Sequence, residues 1–502
     1  MNLLSLSVIL LLVSSATLTD IDLKKTVIWG PGLGQVSLPV RYFFLQLVNK
    51  AGENFTESQG IEFDIELTGE SKTSPGDGKC RGYLEQFDSG DGSIVVRFRI
   101  YQECRRAILS IQYEGQHVAE SPYSLPGTLL PETCSCPLEM KEFLKVWKCS
   151  QNYPQIDFDL AEFSSLNYTR IRRKMLKKYS TDHPGSLAMC QYAVKSGEVF
   201  RKCFGKHVGF NMFMDATLLS LGRKVKLPDF EVFVNLGDWP MSAKTGKSRT
   251  PEPWPIFSWC GSEDSYDIVM PTYDLTESSL EAMNRVTLDI LSVQKSQRSW
   301  SEKIPMGFFR GRDARRERLR AVELARMHPD LLNVSMTNFF FFRDEQDKYG
   351  PKVPHVSFFE FFHHKYQINI DGTVASYRFP YLLAGDSVVL KQDSPYYEHF
   401  YYQLSPMVHY IPFKRDLSDL VDKIRWARDH DEEVREISRK ARSFVREHLL
   451  PSDIFCYYVL LFQRWSELTH SYKVSIPKDM DRVTQPDGSA DCSCTKNPHD
   501  EL

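Results

Sequence analysis

Between residues 22 and 125 apolar side chains recur in short runs and at alternate positions. Ile61-Glu-Phe-Asp-Ile-Glu-Leu67 sets an acidic residue between successive apolar ones, the period-two pattern of a strand with one face buried. Val36 to Leu47 and Ile94 to Tyr101 are further strand candidates, while Lys50-Ala-Gly-Glu-Asn54 and Asp88-Ser-Gly-Asp-Gly92 read as turns. This pattern predicts an antiparallel β-sandwich. Past Pro126, Gly127 and Pro131 the pattern changes. Apolar runs at Phe230–Asn235, Pro255–Trp259, Ile268–Met270, Gly307–Phe309, Tyr366–Ile370, Ser387–Leu390 and His409–Ile411 predict strands. Between them Arg315–Met327 repeats Leu319, Val322 and Ala325 at helical spacing. Leu417, Leu420, Val421 and Ile424 mark a second helix, and Val434, Ile437, Ala441 and Phe444 a third. Alternation of this kind predicts α/β layering in two parallel-sheet lobes, with ligands in the crevice at the carboxyl ends of the strands.

The two ends of the chain bear on compartment. Leu3 to Ala16 is apolar, with an unbroken core from Val8 to Val13 and small residues at Ser14-Ser15-Ala16, though no basic residue precedes it. It reads as a secretory signal peptide over residues 1–19. His499-Asp500-Glu501-Leu502 is a receptor-read retrieval address for the lumen of the endoplasmic reticulum, so the HDEL/KDEL receptor is an expected partner. No second apolar stretch approaches the roughly 18–20 residues that span a bilayer, so no membrane insertion is expected. A net charge of -3 over 502 residues gives no reason to expect nucleic acid and implies two or three domains. The 11 cysteines are an odd number. Cys134-Ser-Cys136 and Cys492-Ser-Cys494 leave one residue between sulfurs, where structural zinc sites leave at least two, and an oxidising lumen favours disulfides. Asn54, Asn167 and Asn333 each open an N-x-Ser/Thr sequon and are candidate N-glycosylation sites.

Several motifs fail on inspection. Gly246-Lys-Ser has Met241 where a phosphate-binding loop needs its first glycine, and neither G-x-S-x-G nor H-E-x-x-H occurs. Gly30-x-Gly32-x-Gly34 precedes a strand rather than a helix and reads as a turn. Asp157-Phe-Asp159 has the D-x-D form of metal-dependent glycosyltransferases but falls in a helical segment. Three clusters at strand ends remain. In Val232-Phe-Val-Asn-Leu-Gly-Asp-Trp-Pro240 an apolar strand runs into a turn carrying Asp238, a candidate general base or a turn residue. In Phe308-Phe-Arg-Gly-Arg-Asp-Ala-Arg-Arg-Glu-Arg318 a strand enters a helix crowded with arginine. Cations there oppose the macrodipole, and either a bound phosphate or the carboxylates of Asp313 and Glu317 would compensate. In Asn369-Ile-Asp-Gly-Thr-Val-Ala-Ser-Tyr-Arg378 small residues after the strand open a predicted helix. Its backbone N–H groups would face an anion over Gly372, Thr373, Val374, Ala375, Ser376 and Tyr377, with Arg378 closing the pocket. Glu398, after a later strand, is a candidate ribose or sugar contact. Two anion-seeking sites and a carboxylate together suggest a diphosphate ligand and an acid/base step.

Trp29-Gly-Pro-Gly-Leu33, Asp91-Gly-Ser93 and Gly115-Gln-His-Val-Ala-Glu-Ser-Pro-Tyr123 resemble the filamin-type immunoglobulin-like repeat. Asn235-Leu-Gly-Asp-Trp-Pro240, Phe309-Arg-Gly-Arg312 and Asp371-Gly-Thr-Val-Ala-Ser-Tyr-Arg378 resemble the CAP10-like protein O-glucosyltransferases of glycosyltransferase family 90. The resemblance implies a filamin-type β-sandwich (20–128), an α/β glycosyltransferase of GT-B-like form with two Rossmann-like lobes (129–485), and a tail (486–502). It implies glucose transfer from UDP-glucose, with UDP-xylose an open alternative, to serine in epidermal-growth-factor-like repeats of secreted or cell-surface proteins such as Notch-like and fibrillin-like chains. Inversion without a required metal or cofactor is the implied course. The family's base falls on Asp238, its donor arginine on Arg318 and its donor loop on Thr373 to Arg378. Arg312 stands where the founding member has serine, and no disulfide-linked acceptor loop is evident around Cys203–Phe213. Disulfides Cys136–Cys456 and Cys134–Cys149 are implied by the same resemblance. The competing reading is a non-catalytic quality-control factor carrying a degenerate transferase domain.

Overall fold

The computed structural model describes residues 20–71, 74–179, 188–205, 209–246, 249–281, 288–484, 492 and 494. The signal segment 1–19 and the tetrapeptide His499–Leu502 lie outside the described residues. The first region holds β1 (Val27–Trp29), β2 (Arg41–Gln46), β3 (Asp64–Ser71), β4 (Ser74–Lys79), β5 (Gly82–Asp88), β6 (Ser93–Ile100), β7 (Arg105–Tyr113), β8 (Gln116–His117) and β9 (Tyr123–Ser124). Strands β1-β2-β6-β5 form one antiparallel sheet, and β4-β3-β7-β8, with β9 on β7, form the other. Phe43, Leu45, Ile94, Val96 and Phe98 point into the sandwich core with Leu109 and Ile111. The alternate residues Tyr42, Phe44 and Val95 are just as buried, but they pack into the core of the following region. Both faces of β2 and β6 are therefore covered, which is why Tyr42–Leu45 and Ile94–Val96 read as continuous apolar runs.

That second region begins with α1 (Met140–Val146), α2 (Pro154–Ala161) and α3 (Tyr168–Lys178). It continues through the hairpin β10 (Ala188–Lys195) and β11 (Glu198–Gly205), α4 (Asn211–Lys224), β12 (Phe230–Asn235), β13 (Ile256–Ser258), β14 (Gly261–Ser262), β15 (Ile268–Val269) and α5 (Tyr273–Glu281). Next come β16 (Ile304–Arg312), α6 (Arg316–Met327), β17 (Leu332–Asn338), α7 (Gln346–Tyr349), β18 (His364–Asn369) and α8 (Phe379–Ala384). Strands β19 (Val388–Gln392), β20 (Tyr396–Tyr397) and β21 (Ile411–Phe413), helices α9 (Leu420–Asp429), α10 (Asp431–His448) and α11 (Pro451–Leu468), and β22 (Asp481–Arg482) complete it. The sheet β17-β16-β18-β19-β21 is parallel throughout. The other large sheet, β15-β13-β12-β10-β11-β22, is mixed rather than parallel. Its antiparallel part comes from the hairpin β10–β11, whose turn residues Ser196 and Gly197 both have positive φ, as a two-residue turn matching strand twist requires. Helix α11 crosses back to this sheet, stacking Phe462 on Phe230 at 4.6 Å.

The sandwich is fused to the α/β region by more than apolar contact. Arg97 of β6 reaches Asp289 at 2.8 Å with both side chains nearly sealed from water. Arg442 and Arg446 of α10 converge on Asp91, whose carboxyl they hold well below its usual range against the opposing effect of burial. Tyr42 hydroxyl meets Ser452 Oγ at 2.7 Å.

The disulfides differ from those the resemblance implied. Cys134 pairs with Cys492 and Cys136 with Cys494, so the two C-x-C motifs bond to each other in register, while Cys149 takes Cys456. A C-x-C segment carries too little chain between its sulfurs to turn back on itself, and a second segment of equal spacing meets both at once. Cys80–Cys104 and Cys190–Cys203 complete the five, the latter directly across the β10–β11 hairpin, and Cys260 is the free thiol among the described cysteines. Among the described residues no helix is long and apolar enough to cross a membrane.

Candidate active site

A cavity of about 480 Å³ opens between the two sheet lobes. Its walls come from the turn after β12 (Asp238), the start of α5 (Tyr273, Asp274), the ends of β16 and β17 (Arg310–Arg312, Thr337) and the segment Gly372–Arg378. The three sequence clusters thus meet at carboxyl ends of strands, where an open α/β sheet binds its ligand.

Asp238 is displayed by a turn that Asn235 holds from below. The Asn235 side chain accepts from Gly237 N at 2.9 Å and donates to the Trp239 carbonyl at 2.7 Å. Such side chain–backbone bonds are how asparagine fixes a tight turn at a strand end. Asp238 itself is half-buried, and its Oδ2 accepts from Thr373 Oγ1 at 3.3 Å, linking the two lobes across the cavity.

Arg318 is 4% exposed and lies over the Phe309 ring. It donates to the carbonyls of Asp371, Arg312 and Ile370 at 2.8, 2.9 and 3.1 Å. Among the described residues it forms no ion pair. Burial, followed by the Arg378 charge, lowers its pKa to about 9, so it stays cationic at neutral pH with its charge directed at a cavity. Arg378 donates to the Arg310 carbonyl at 2.6 Å, and burial pulls its pKa to about 10. Arg312 is exposed at the rim and makes no ion pair among the described residues. The Asp313 carboxylate does not serve these arginines. It is fully buried and accepts from the backbone N–H groups of Phe340, Phe341 and Phe342. Among the described residues Glu317 pairs with Arg415 alone, at 3.8 Å.

Two expectations need correction here. Gly372 to Ser376 is not the first turn of a helix: the segment is a series of bends, and α8 begins only at Phe379. Pro380 suits that later start, since proline is favoured in the first turn. Glu398, read from the sequence as a ribose or sugar contact, is fully buried and is not among the residues that line the cavity. Tyr401 donates to it at 3.2 Å, and burial pushes its carboxyl to about 8. Asp157 and Asp159 also separate, because residues two apart on a helix do not share a face. Asp157 faces Arg464, while Asp159 is buried and accepts from Val269 N at 2.7 Å. Of the sequon residues, Asn54 is exposed, Asn167 caps α3, and Asn333 is half-buried with its Oδ1 accepting from Arg310 at 2.6 Å.

Sequence reasoning passed over Arg315, Arg310, Tyr273 and Asp274. Arg315 donates to the carbonyls of Gly372 and Thr373 at 2.6 and 2.7 Å and lies against the Tyr396 ring, which orders the Gly372–Arg378 segment. Arg310 sat in the same Phe-Arg-Gly run already singled out. Asp274 follows the strand Ile268–Val269 by only a few residues, and that strand-end position was the available signal.

A cationic wall facing a carboxylate across an interlobe cleft is an arrangement suited to group transfer from an activated, anionic leaving group. The Glycosyl transferase family 90 profile matches residues 145–498, and a Filamin/ABP280 repeat matches residues 20–124. The chain belongs to glycosyltransferase family 90. It is 48% identical to Protein O-glucosyltransferase 2 of Danio rerio over 485 residues, covering 95% of this chain and 94% of that one. It is 43% identical to Protein O-glucosyltransferase 3 of Homo sapiens over 496 residues, 98% of this chain and 96% of the relative. Protein O-glucosyltransferase 1 of Homo sapiens is 29% identical over 361 residues, 69% of this chain and 87% of the relative. These relatives are named for the transfer of glucose to protein.

Proposed function

We propose that the chain transfers glucose from UDP-glucose to a serine hydroxyl of epidermal-growth-factor-like repeats, with UDP-xylose as a possible second donor, in a GT-B-like arrangement of two lobes. Asp238 takes the serine proton as the hydroxyl oxygen attacks the anomeric carbon. The bond from that carbon to the diphosphate breaks, UDP leaves with the electron pair, and the sugar is inverted. Arg318, Arg378, Arg310 and Arg312 receive the charge that builds on the departing diphosphate, a contribution that grows from ground state to transition state. The observation that carries this reading is the buried Arg318: a cation without a carboxylate partner is costly to bury, and the cost is explained if an anionic ligand completes it. The five disulfides support an oxidising compartment, and with the terminal His499–Leu502 they support residence in the endoplasmic reticulum lumen through the retrieval receptor. The reaction is tested by incubating the purified chain with UDP-glucose or UDP-xylose and a folded repeat, then weighing the repeat by mass spectrometry. A single sugar added to serine is expected. UDP binding without transfer to any folded repeat would favour the non-catalytic reading instead.

A further inference from the structure

The cavity is electrically divided. Arg310, Arg312, Arg318 and Arg378 occupy one side, and Asp238 and Asp274 stand on its walls without a salt bridge among the described residues. Asp238 has its role in the reaction proposed above. Asp274 has none. It lies in the first turn of α5, where an acid ordinarily serves the helix dipole while facing water. Here it is largely shielded. Burial, then the charges of Glu277 and Asp238, raises its carboxyl to about 6. Among the described residues its carboxylate accepts no hydrogen bond; the Tyr381 hydroxyl donates to its backbone carbonyl instead, at 2.9 Å. A half-buried carboxylate on a cavity wall, beside Glu277 and Asp238 and without an ion pair among the described residues, is strained by like charge, and such groups persist where function uses them.

Resting on the glycosyl-transfer reading, we infer that Asp274 accepts hydrogen bonds from hydroxyls of the sugar being transferred and so sets which sugar donor the enzyme prefers. The anionic half of the donor belongs with the arginines. The sugar it carries must then lie between them and Asp238, on the side of the cavity that Asp274 lines. A sugar is neutral and rich in O–H donors, and a carboxylate is an acceptor-only group able to take two of them at once. The Tyr273 ring, stacked on Phe210 and Phe213 and edge-on to Tyr377 at 5.5 Å, lines the same wall beside Asp274 and adds apolar surface for a sugar's C–H groups. Selection follows because a site built to bond a hydroxyl strongly rejects an analogue that lacks it.

The test uses the full-length chain and the nearly isosteric Asp274→Asn, with Asp274→Ala as a second variant. UDP, UDP-glucose and UDP-xylose are titrated by calorimetry, transfer to a folded repeat is timed with each sugar donor, and melting temperature is recorded. For both variants UDP affinity should stay within about twofold of wild type and the melting temperature should hold or rise. kcat/KM for the preferred donor should fall about 10–100-fold and the preference between the two sugars should shrink. Unaltered preference, or UDP affinity falling in step with that of the UDP-sugars, would overturn the inference. A role confined to the helix start would lower the melting temperature and leave donor preference alone. If the wild type binds UDP-sugars but transfers nothing, the proposed reaction fails, while the affinity gap between UDP and UDP-sugar still reports on Asp274.

Discussion

Arg318→Lys isolates what the guanidinium does beyond carrying charge. The side chain anchors the end of β18 and the end of β16 through three backbone carbonyls at 2.8, 2.9 and 3.1 Å. A lysine keeps the cation but cannot reproduce the fork, and from this depth it meets one of the three acceptors well. Hydrogen bonds to charged groups contribute about 1.5–3 kcal/mol each, so losing two sets an upper bound of about 3–6 kcal/mol. Water entering from the adjoining cavity offsets part, leaving an expected stability loss of about 2–3 kcal/mol. Because the Ile370–Gly372 backbone would shift, UDP affinity should fall about 10–100-fold, or roughly 1.4–2.8 kcal/mol. Arg312→Ala is the contrast: exposed and without an ion pair among the described residues, it should alter stability by less than about 0.5 kcal/mol while still weakening UDP. Denaturant unfolding and calorimetry with UDP read both quantities. A lysine variant with native stability would refute the anchoring role. A destabilised variant with native UDP affinity would refute the link between the anchored loop and the donor.

Other outcomes follow from the same structure. Excising residues 20–128 should yield an insoluble α/β region, because Tyr42, Phe44 and Val95 belong to its core, and the intact chain should unfold in one transition; a soluble, UDP-binding truncation would contradict this. Asp289→Ala removes one of the two carboxylates that Arg97 meets, Glu85 being the other, and should cost about 1.5–3 kcal/mol, with an Arg97→Met cycle measuring the coupling; additive effects would contradict it. Glu398 has its folded pKa raised to about 8 from an ordinary 4.5, so its contribution is fully present below 4.5 and is lost as pH rises through 8. Between pH 6.5 and 7.5 wild-type stability should therefore carry a downward term of about 1.4 kcal/mol per pH unit that Glu398→Gln removes; parallel pH profiles for the two proteins would exclude this assignment.

How far the sequence disclosed this structure varies by element, for physical reasons. β12 runs from Phe230 to Asn235 as its apolar run predicted, because the strand is covered on both faces and its one buried acid, Glu231, is paired with Arg172. Helix α11 went unseen for the related reason that Ile454 to Phe462 are all buried and show no polar face from which to read a helical period. The hairpin β10–β11 carried its signal in Ser196-Gly197, and the mixed sheet could have been expected from it. Pairing between Cys134 and Cys492 spans 358 residues, a distance over which local pattern says nothing. At the site, strand-end position brought Asp238, Arg318 and the Gly372–Arg378 segment into view before any coordinates did. What stayed hidden was partnership: that Arg318 bonds carbonyls, that Asp313 holds a turn, that Glu398 is buried away, and that Asp274 faces the cavity. Each depends on which distant backbone or sheet a side chain meets.

The central claim, that this cleft transfers sugar with Asp238 as the base, is tested most directly by Asp238→Asn. Turnover on a folded repeat and UDP affinity are measured on wild type and variant together. The amide leaves the Asn235-held turn intact but cannot take the serine proton, so turnover should fall by about 10²–10⁴ with UDP affinity unchanged. Near-normal turnover in the variant would contradict the account.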